Sequence, residues 1–437
     1  MKIYNYILLL FFFGNFAFGQ EKFSDWNTFE KSFVKSYNRL HIADLQIHYV
    51  DNLELIKSKR NVEKQEKMFQ QYQKALQSID KTKLTQEQQL DYALVSYEIK
   101  LHLERIALEK KWLNIKPRKI SQEGLRNVPM GKEWYAYFLK KWVDAEVTPD
   151  ALFQFGLSEI ERAKKAMKAI EKASGLDSLE YQKYINSDIF FLNDVKTVQY
   201  AFESYKKAIY PNLIGFFPQI DQLPDVKIER GTNKAYAQVP AYYAEVRNTF
   251  YYNFFDKPFN KRQVAWIYMH EAMPGHHYQI KYEQQLEQSA IRSLFTSNGY
   301  REGWAAYVEE LIYDFGPETT KYDELGKWEW DIIRSVRVSM DVGLNYYGWS
   351  DEKALEFWQQ HIQGQDDIAK REIGRMKRWP AQVITYKYGA NKISKWKAKL
   401  KKMLPSGEAF PWLQFHTKIL ENGALPFSVM DSEIFWK

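Results

Sequence analysis

Apolar residues near the start of the chain recur every three or four positions. The spacing holds from Asp25 to about Leu113, and its clearest runs are Phe29, Phe33, Tyr37, Leu40 and then Leu90, Leu94, Tyr97, Leu101. Residues spaced in this way share one face of an α-helix. Thr85 followed by Gln88 is a capping box that predicts the start of the second helix. This part of the chain is therefore expected to fold into long amphipathic helices.

Helical patterns also dominate the rest of the chain. Thr148-Pro149 predicts the start of a long helix, and Gly175 predicts its end. After His277 the pattern is helical again to about Gly389, with helices expected to begin at Tyr300, after Pro317 and after Ser350. We expect a mostly α-helical protein.

The pattern changes between about Tyr210 and Phe259, where prolines are frequent. Runs rich in β-formers occur at 226–228 and 248–254, which predicts a small sheet just before the segment that contains His270. An exposed sheet edge can pair with an extended peptide, although an edge strand can equally be structural. No Gly/Ser-rich linker separates the halves, so one continuous body is favoured over two domains with a cleft between them.

The N-terminus has the composition of a secretory signal peptide. Lys2 precedes an apolar run, and Ala17-Phe18-Gly19 offers a small-x-small cleavage site. We assign residues 1–19 to a signal peptide, 20–210 to an N-terminal helical region and 211–437 to a catalytic region. The expected location is periplasmic or secreted, with no stable membrane insertion once the signal is removed; a retained N-terminal anchor is the alternative.

Composition excludes several classes of protein. The chain has no cysteine, which excludes disulfides and attachment of lipid to a cysteine. The net charge is +7, but lysines alternate with glutamates on helical faces instead of forming a basic stripe. Nucleic-acid binding is therefore not expected. Aromatic residues make up 16% of the chain, and core packing explains them better than a substrate groove.

The segment from Met269 to Gln279 holds three of the eight histidines of the chain. His270 is followed directly by Glu271, and His276 and His277 come six and seven positions later. On an unbroken helix neither could share a metal ion with His270, because i+6 points elsewhere and i+7 lies about 10.5 Å along the axis. Pro274-Gly275 predicts a bulge in the helix that brings His276 back beside His270, with His277 as the alternative.

The proposed site needs a third ligand and a base. Catalytic zinc commonly takes two His and one Glu and leaves one position for water, and Glu302 is the expected third ligand. Glu271 is the expected general base, which would activate the zinc-bound water. Glu309, two turns after Glu302, either orients a ligand histidine or is a surface carboxylate, and the second interpretation is favoured. Manganese, iron or cobalt would suit the same ligands.

These motifs resemble a known bacterial family, domain of unknown function 885. The family carries H-E-x-x-P-G-H-H-x-Q and E-G-W-A-x-Y-x-E, which appear here as His270 to Gln279 and Glu302 to Glu309. The resemblance covers about residues 225–390. It implies a zincin-like helical body, in the glutamate-liganded group of metallopeptidases, with one zinc ion per chain. It also implies that Tyr386 and Arg375 lie near the site. A tyrosine hydroxyl there would suit donation to an oxyanion and an arginine would suit pairing with a substrate carboxylate, with a packing role as the alternative for each.

The chain departs from the family pattern at two positions. Asn345 stands where the family usually has histidine, and Ala381 stands where it usually has glycine. The proposed ligands and base are intact, so we expect an active enzyme. If the missing histidine helps to hold substrate, specificity or rate will differ.

The sequence thus predicts an exported zinc-dependent peptidase that acts on a peptide or small amide substrate. The alternatives are a metal-dependent hydrolase of another amide or ester, and a non-catalytic protein that binds peptides or glycans. The sequence does not predict exo- or endopeptidase action or the oligomeric state.

Overall fold

The computed structural model describes residues 23, 25–237, 239–255, 257–317, 320–432 and 436. The proposed signal peptide lies outside these residues. In chain order the helices are α1 Trp26–Asn38, α2 Tyr49–Glu54, α3 Lys59–Gln77, α4 Gln86–Ile115, α5 Gly131–Trp142, α6 Pro149–Ser174, α7 Ser178–Ile185, α8 Val195–Ile209, α9 Val264–Glu271, α10 His276–Gln285, α11 Asn298–Glu309, α12 Ile312–Phe315, α13 Lys321–Val342, α14 Asp351–Gln359, α15 Asp366–Arg378, α16 Ile384–Met403, α17 Trp412–Leu420 and α18 Phe427–Met430.

The strands form two small sheets. They are β1 Phe191–Leu192, β2 Lys227–Arg230, β3 Ala241–Ala244, β4 Thr249–Tyr252 and β5 Phe259–Asn260. In the three-stranded sheet, β4 lies in the centre, parallel to β2 and antiparallel to β3. β1 and β5 make a separate antiparallel pair. The mostly α-helical fold with a small sheet is confirmed, and β3 adds a strand that the sequence pattern did not predict.

Several helix boundaries confirm the predictions made from capping residues. Thr85 and Gln88 form the capping box of α4. Thr148 caps the start of α6, and Gly175, in the left-handed region, is its C-cap; Ser350 caps α14. The helix expected after Pro317 instead begins at Lys321, because Thr320 and Asp323 form a capping box there.

One continuous hydrophobic core joins the first helices to the later ones. It includes buried residues from α1 to α18, among them Phe33 of α1, Ile160 of α6, Val336 of α13 and Ile384 of α16. A second, small cluster contains Ile170, Tyr181, Ile185 and Leu325. Helix α6 packs along α13, and α11 packs along α16. Among the described residues, no helix is both long enough and apolar enough to cross a membrane.

Candidate metal centre

A short non-helical segment separates the two histidine-bearing helices. α9 ends at Glu271 and α10 begins at His276, so the predicted bulge within one helix is wrong: two helices meet here. Gly275 has a φ of −78°, and space, not conformation, requires glycine: a Cβ there would lie 2.0 Å from the His270 carbonyl oxygen. Trp304 Nε1 donates to the Pro274 carbonyl oxygen at 2.9 Å and fixes the break to α11.

The break brings the three predicted ligands together. Donor atoms of His270, His276 and Glu302 all lie within 4.8 Å of one another. Glu302 Oε2 is 3.4 Å from His276 Nε2 and 3.8 Å from His270 Nε2. Ligands held ~2.0–2.1 Å from a tetrahedral ion are about 3.4 Å apart. Glu302 Oε2 is also buried and accepts no hydrogen bond from any described residue. The donor types suit a small cation such as zinc, which would draw the donor atoms together from separations of up to 4.8 Å to about 3.4 Å.

Glu309 contacts the Nδ1 side of the His270 ring, opposite the nitrogen that would bind a metal. It is buried, and its Oε1 lies 2.6 Å from His270 Nδ1, while Arg334 donates to both of its carboxylate oxygens. The favoured interpretation of Glu309 as a surface carboxylate is therefore wrong. With Nδ1–H donated to Glu309, the Nε2 of a neutral His270 keeps its lone pair for a cation. Burial, followed by the charges of His276 and Arg334, lowers the pKa of His270 well below its usual value, which favours this neutral form.

His277 does not belong to the ligand set. Its Nε2 lies 2.9 Å from the Pro224 carbonyl oxygen, and its Nδ1 lies 2.8 Å from the Tyr243 hydroxyl. Both ring nitrogens therefore have partners, and burial lowers the pKa of His277 to about 4. This residue ties the start of α10 to strand β3. Of the two alternatives, His276 is the one beside His270.

The protonation states of Glu302 and Glu271 decide what these two residues can do at neutral pH. Burial opposes the ionisation of Glu302, but its contacts with His276 and then His270 lower its pKa to about 2. Glu271 makes no ion pair among the described residues, and burial raises its pKa to about 7 despite the nearby His276. Glu302 is therefore ionised at neutral pH, as a ligand must be, and Glu271 can accept and release a proton there.

Tyr386 and Arg375 both lie beside the ligands, as the resemblance implied. The Tyr386 ring stacks on His270 with centroids 5.9 Å apart. Its hydroxyl oxygen accepts from Gln382 Nε2 at 3.1 Å and from Arg375 Nη2 at 3.4 Å. Since the oxygen is already the acceptor in both contacts, its own hydrogen remains to be donated elsewhere. Among the described residues none accepts this hydrogen, so it is available to a substrate oxygen.

Two glycines allow the helices that carry Glu302 and Tyr386 to meet. A Cβ at Gly303 would lie 2.5 Å from Gly389 Cα, and a Cβ at Gly389 would lie 2.4 Å from Gly303 Cα. Any larger side chain at this crossing would push α11 away from α16. The two positions therefore set the distance between the third ligand and the tyrosine.

The two departures from the family pattern meet at Asp341. Asn345 is buried and donates through Nδ2 to the carbonyl oxygens of Asp341 and Met376, which gives it a structural role. Ala381 has a φ of 72°, in the left-handed region that favours glycine, and its N–H donates to Asp341 Oδ1 at 3.0 Å. These hydrogen bonds connect Asp341, near the end of α13, to the segment that leads into α16.

Three residues that build the site could not be recognised from the sequence pattern. Arg334 lies within the regular pattern of α13, and Tyr243 lies in the strand that was not predicted. The role of Trp304 in holding Pro274 was also not predicted, although its place within the second motif marked the position. None of the three has a spacing to the histidines that a local pattern would reveal.

Comparison with models of protein families identifies a family that matches most of the chain. The model of a bacterial protein family of unknown function, DUF885, matches residues 107–434. The chain belongs to this family. The match includes α5 to α18 and every residue of the candidate centre, whereas α1 to α3 precede it. No curated protein matches this DUF885 chain.

Two solved structures share the fold. One is a candidate lipoprotein from Colwellia psychrerythraea, with a TM-score of 0.63 and 22% identity, covering 84% of this chain and 66% of its own. The other is a candidate lipoprotein of unknown function from Shewanella oneidensis, with a TM-score of 0.66 and 15% identity, covering 95% of this chain and 99% of its own. The DUF885 chain thus spans slightly less than two thirds of the first relative and nearly all of the second. At these identities the similarity shows the fold alone.

Proposed function

We propose that this chain is an exported zinc-dependent peptidase of the zincin-like, glutamate-liganded kind. The observation that carries the proposal is the convergence of His270, His276 and Glu302 within 4.8 Å. Glu271 follows His270 in the sequence and interacts electrostatically with His276 and Glu302. Two His and one Glu are a ligand set of catalytic zinc, and structural zinc sites use four protein ligands instead. Three protein ligands leave a position for a reactant.

Zinc bound to this set would supply a Lewis acid that polarises a carbonyl and acidifies water. The residues of the chain supply the remaining functions. Glu309 and Arg334 hold the His270 ring in the tautomer that presents Nε2. Glu271 takes the proton of the attacking water and passes it to the leaving amine.

Tyr386 would stabilise the charge that develops on the carbonyl oxygen. Gln382 and Arg375 fix its hydroxyl oxygen by donating to it, which leaves the phenolic hydrogen for the substrate. A donor fixed before the reaction begins needs no reorganisation at the transition state.

Strand β3 supports a peptide as the substrate. It is an edge strand of the three-stranded sheet, and Tyr243 on β3 lies 2.8 Å from His277, the residue after His276. An edge strand beside a catalytic centre can hold an extended peptide through main-chain hydrogen bonds. A hydrolase of small esters needs no such strand, so the presence of β3 favours a peptide substrate.

Hydrolysis of a mixture of short peptides by the zinc-loaded mature chain tests the proposal. We expect cleavage detected by mass spectrometry, its loss with a chelator and its return with zinc. Cleavage of simple amides or esters but of no peptide would favour the broader hydrolase. Peptide binding that ignores both chelator and zinc, without cleavage, would favour a binding protein and contradict the proposal.

A further inference from the structure

Three arginines beside the candidate centre approach a single carboxylate. Arg337 Nη1 donates to Glu372 Oε2 at 2.8 Å, whereas Arg371 Nε and Arg375 Nη1 stay 3.7 Å from the same carboxylate. Glu372 is buried. Glu302 and Asp341 add longer-range interactions with Arg375 and Arg337, but among the described residues neither Arg371 nor Arg375 has another carboxylate within 4.0 Å, and so neither has a close carboxylate of its own.

Arg375 has hydrogen-bond donors that are not used. Its Nη2 donates to Gln382 Oε1 at 2.8 Å and to Tyr386 at 3.4 Å. Its Nε is buried and has no acceptor in the part of the chain that the structure describes, and its Nη1 makes only the 3.7 Å contact with Glu372. The side chain is 13% exposed. A nearly buried guanidinium group with unused donors is suited to binding an anion.

This arginine lies one side chain away from the metal ligands. Tyr386 contacts Arg375 through its hydroxyl group and stacks on His270 through its ring. Arg375 also contributes to the electrostatic field at Glu302. A group bound by Arg375 therefore lies within about one or two residues of a scissile bond held at the centre, at ~3.3–3.6 Å per residue.

We propose that Arg375 binds a carboxylate of the substrate close to the scissile bond, so that the site prefers peptides with a free C-terminus near the cleavage point. This inference rests on the proposed peptidase function. An acidic side chain offers the same chemistry as a terminal carboxylate, and both pair with a guanidinium group through charge-assisted hydrogen bonds.

Isothermal titration calorimetry with a variant that should not cleave peptides measures substrate binding independently of turnover. The zinc-loaded Glu271→Gln chain is titrated with acetyl-trialanine, with its C-terminal amide, and with amidated peptides that end in glutamate or glutamine. We expect the free acid to bind about 10- to 100-fold more tightly than the amide, the range of one charged hydrogen bond. A second outcome is that the amidated glutamate peptide binds more tightly than the amidated glutamine peptide and as tightly as the free acid. In that case Arg375 still binds a carboxylate, and that carboxylate belongs to a side chain.

Variants test whether Arg375 is the group that binds the substrate carboxylate. Arg375→Met should abolish the preference for the acid, and Arg375→Lys should keep part of it because the charge remains without the planar fork. Arg378→Met is the matched control: it removes the same charge from α15 at an exposed position and should leave the preference unchanged. Zinc content and far-UV circular dichroism show whether each variant is folded.

Equal binding of acid and amide by the parent chain, or a preference that survives Arg375→Met, would overturn the inference. Turnover by the wild-type chain is a separate result. Cleavage without a preference for the acid contradicts the carboxylate receptor alone, whereas a preference lost in Arg375→Met without any cleavage supports the receptor and contradicts the peptidase.

Discussion

Replacement of Glu271 by glutamine is expected to lower kcat by about 10²- to 10⁴-fold, the contribution of a positioned general base. Glutamine preserves the shape of the side chain but cannot take the proton of the attacking water. Since Glu271 is not in the ligand set, zinc content should stay at the wild-type level. The base works in its ionised form, and burial raises its pKa to about 7. The wild-type kcat should therefore fall on the acidic side of neutrality.

The companion variant for this result is Tyr386→Phe. It removes only the hydroxyl group, and loss of one oxyanion donor costs about 10²- to 10³-fold in kcat. Zinc should remain bound, since the phenol is not in the ligand set. Steady-state kinetics on a peptide that the wild type cleaves gives both values. A Glu271→Gln chain with wild-type kcat would show that the base is wrongly assigned, whatever the metal content.

Replacement of Lys387 by methionine is expected to destabilise the fold by about 3–5 kcal/mol. Lys387 is buried, and its Nζ lies 2.7 Å from Glu159 Oε2 and 2.8 Å from Asp331 Oδ1. These carboxylates come from α6 and α13, whereas Lys387 follows Tyr386 on α16. Methionine would fill similar space but leave two buried carboxylates with less positive charge. Denaturant titration measures the change in the free energy of unfolding.

The loss should shrink as the pH falls. Burial raises the pKa of Asp331, but Lys387 and then Lys327 overcome this and hold it well below the usual range. A depressed pKa stabilises the folded state above the unfolded pKa of about 4, and this stabilisation is lost as the pH falls through the folded value. Once Asp331 is protonated, Lys387 has less negative charge to neutralise.

Lys392→Met is the control on the same helix. Lys392 pairs with Asp431 at a partly exposed position, 25% and 39% exposed. Such surface pairs contribute about 0–1 kcal/mol. If the two variants lost the same stability, the charges around Lys387 would not form the network that joins α6, α13 and α16.

The convergence of the three candidate ligands could be predicted because their signals are local. His270, His276 and Glu302 stand in two short motifs, and Pro274-Gly275 indicated a departure from a regular helix between the two histidines. Thr85 and Thr148 predicted helix starts correctly because capping depends on residues three or four positions apart. The type of break at Pro274 was not predicted, since a kink and a full helix end begin with the same residues.

The surroundings of the ligands could not be predicted because distant segments create them. Glu309 looks like a surface carboxylate until α13 packs on it, and its partner Arg334 is 25 residues away. His277 could be separated from His276 only through Pro224 and Tyr243, which lie 53 and 34 residues before it. Burial and pairing of this kind depend on tertiary packing, which a single sequence does not display.

Zinc content of the purified mature chain tests the central proposal most directly. Wild type is measured beside His270→Ala, His276→Ala and Glu302→Ala, with His277→Ala as the matched control. We predict about one zinc ion per wild-type chain, loss in the first three variants, and retention in His277→Ala. A folded wild-type chain that takes up no metal when zinc is supplied, or zinc lost from His277→Ala but kept by His276→Ala, would contradict it.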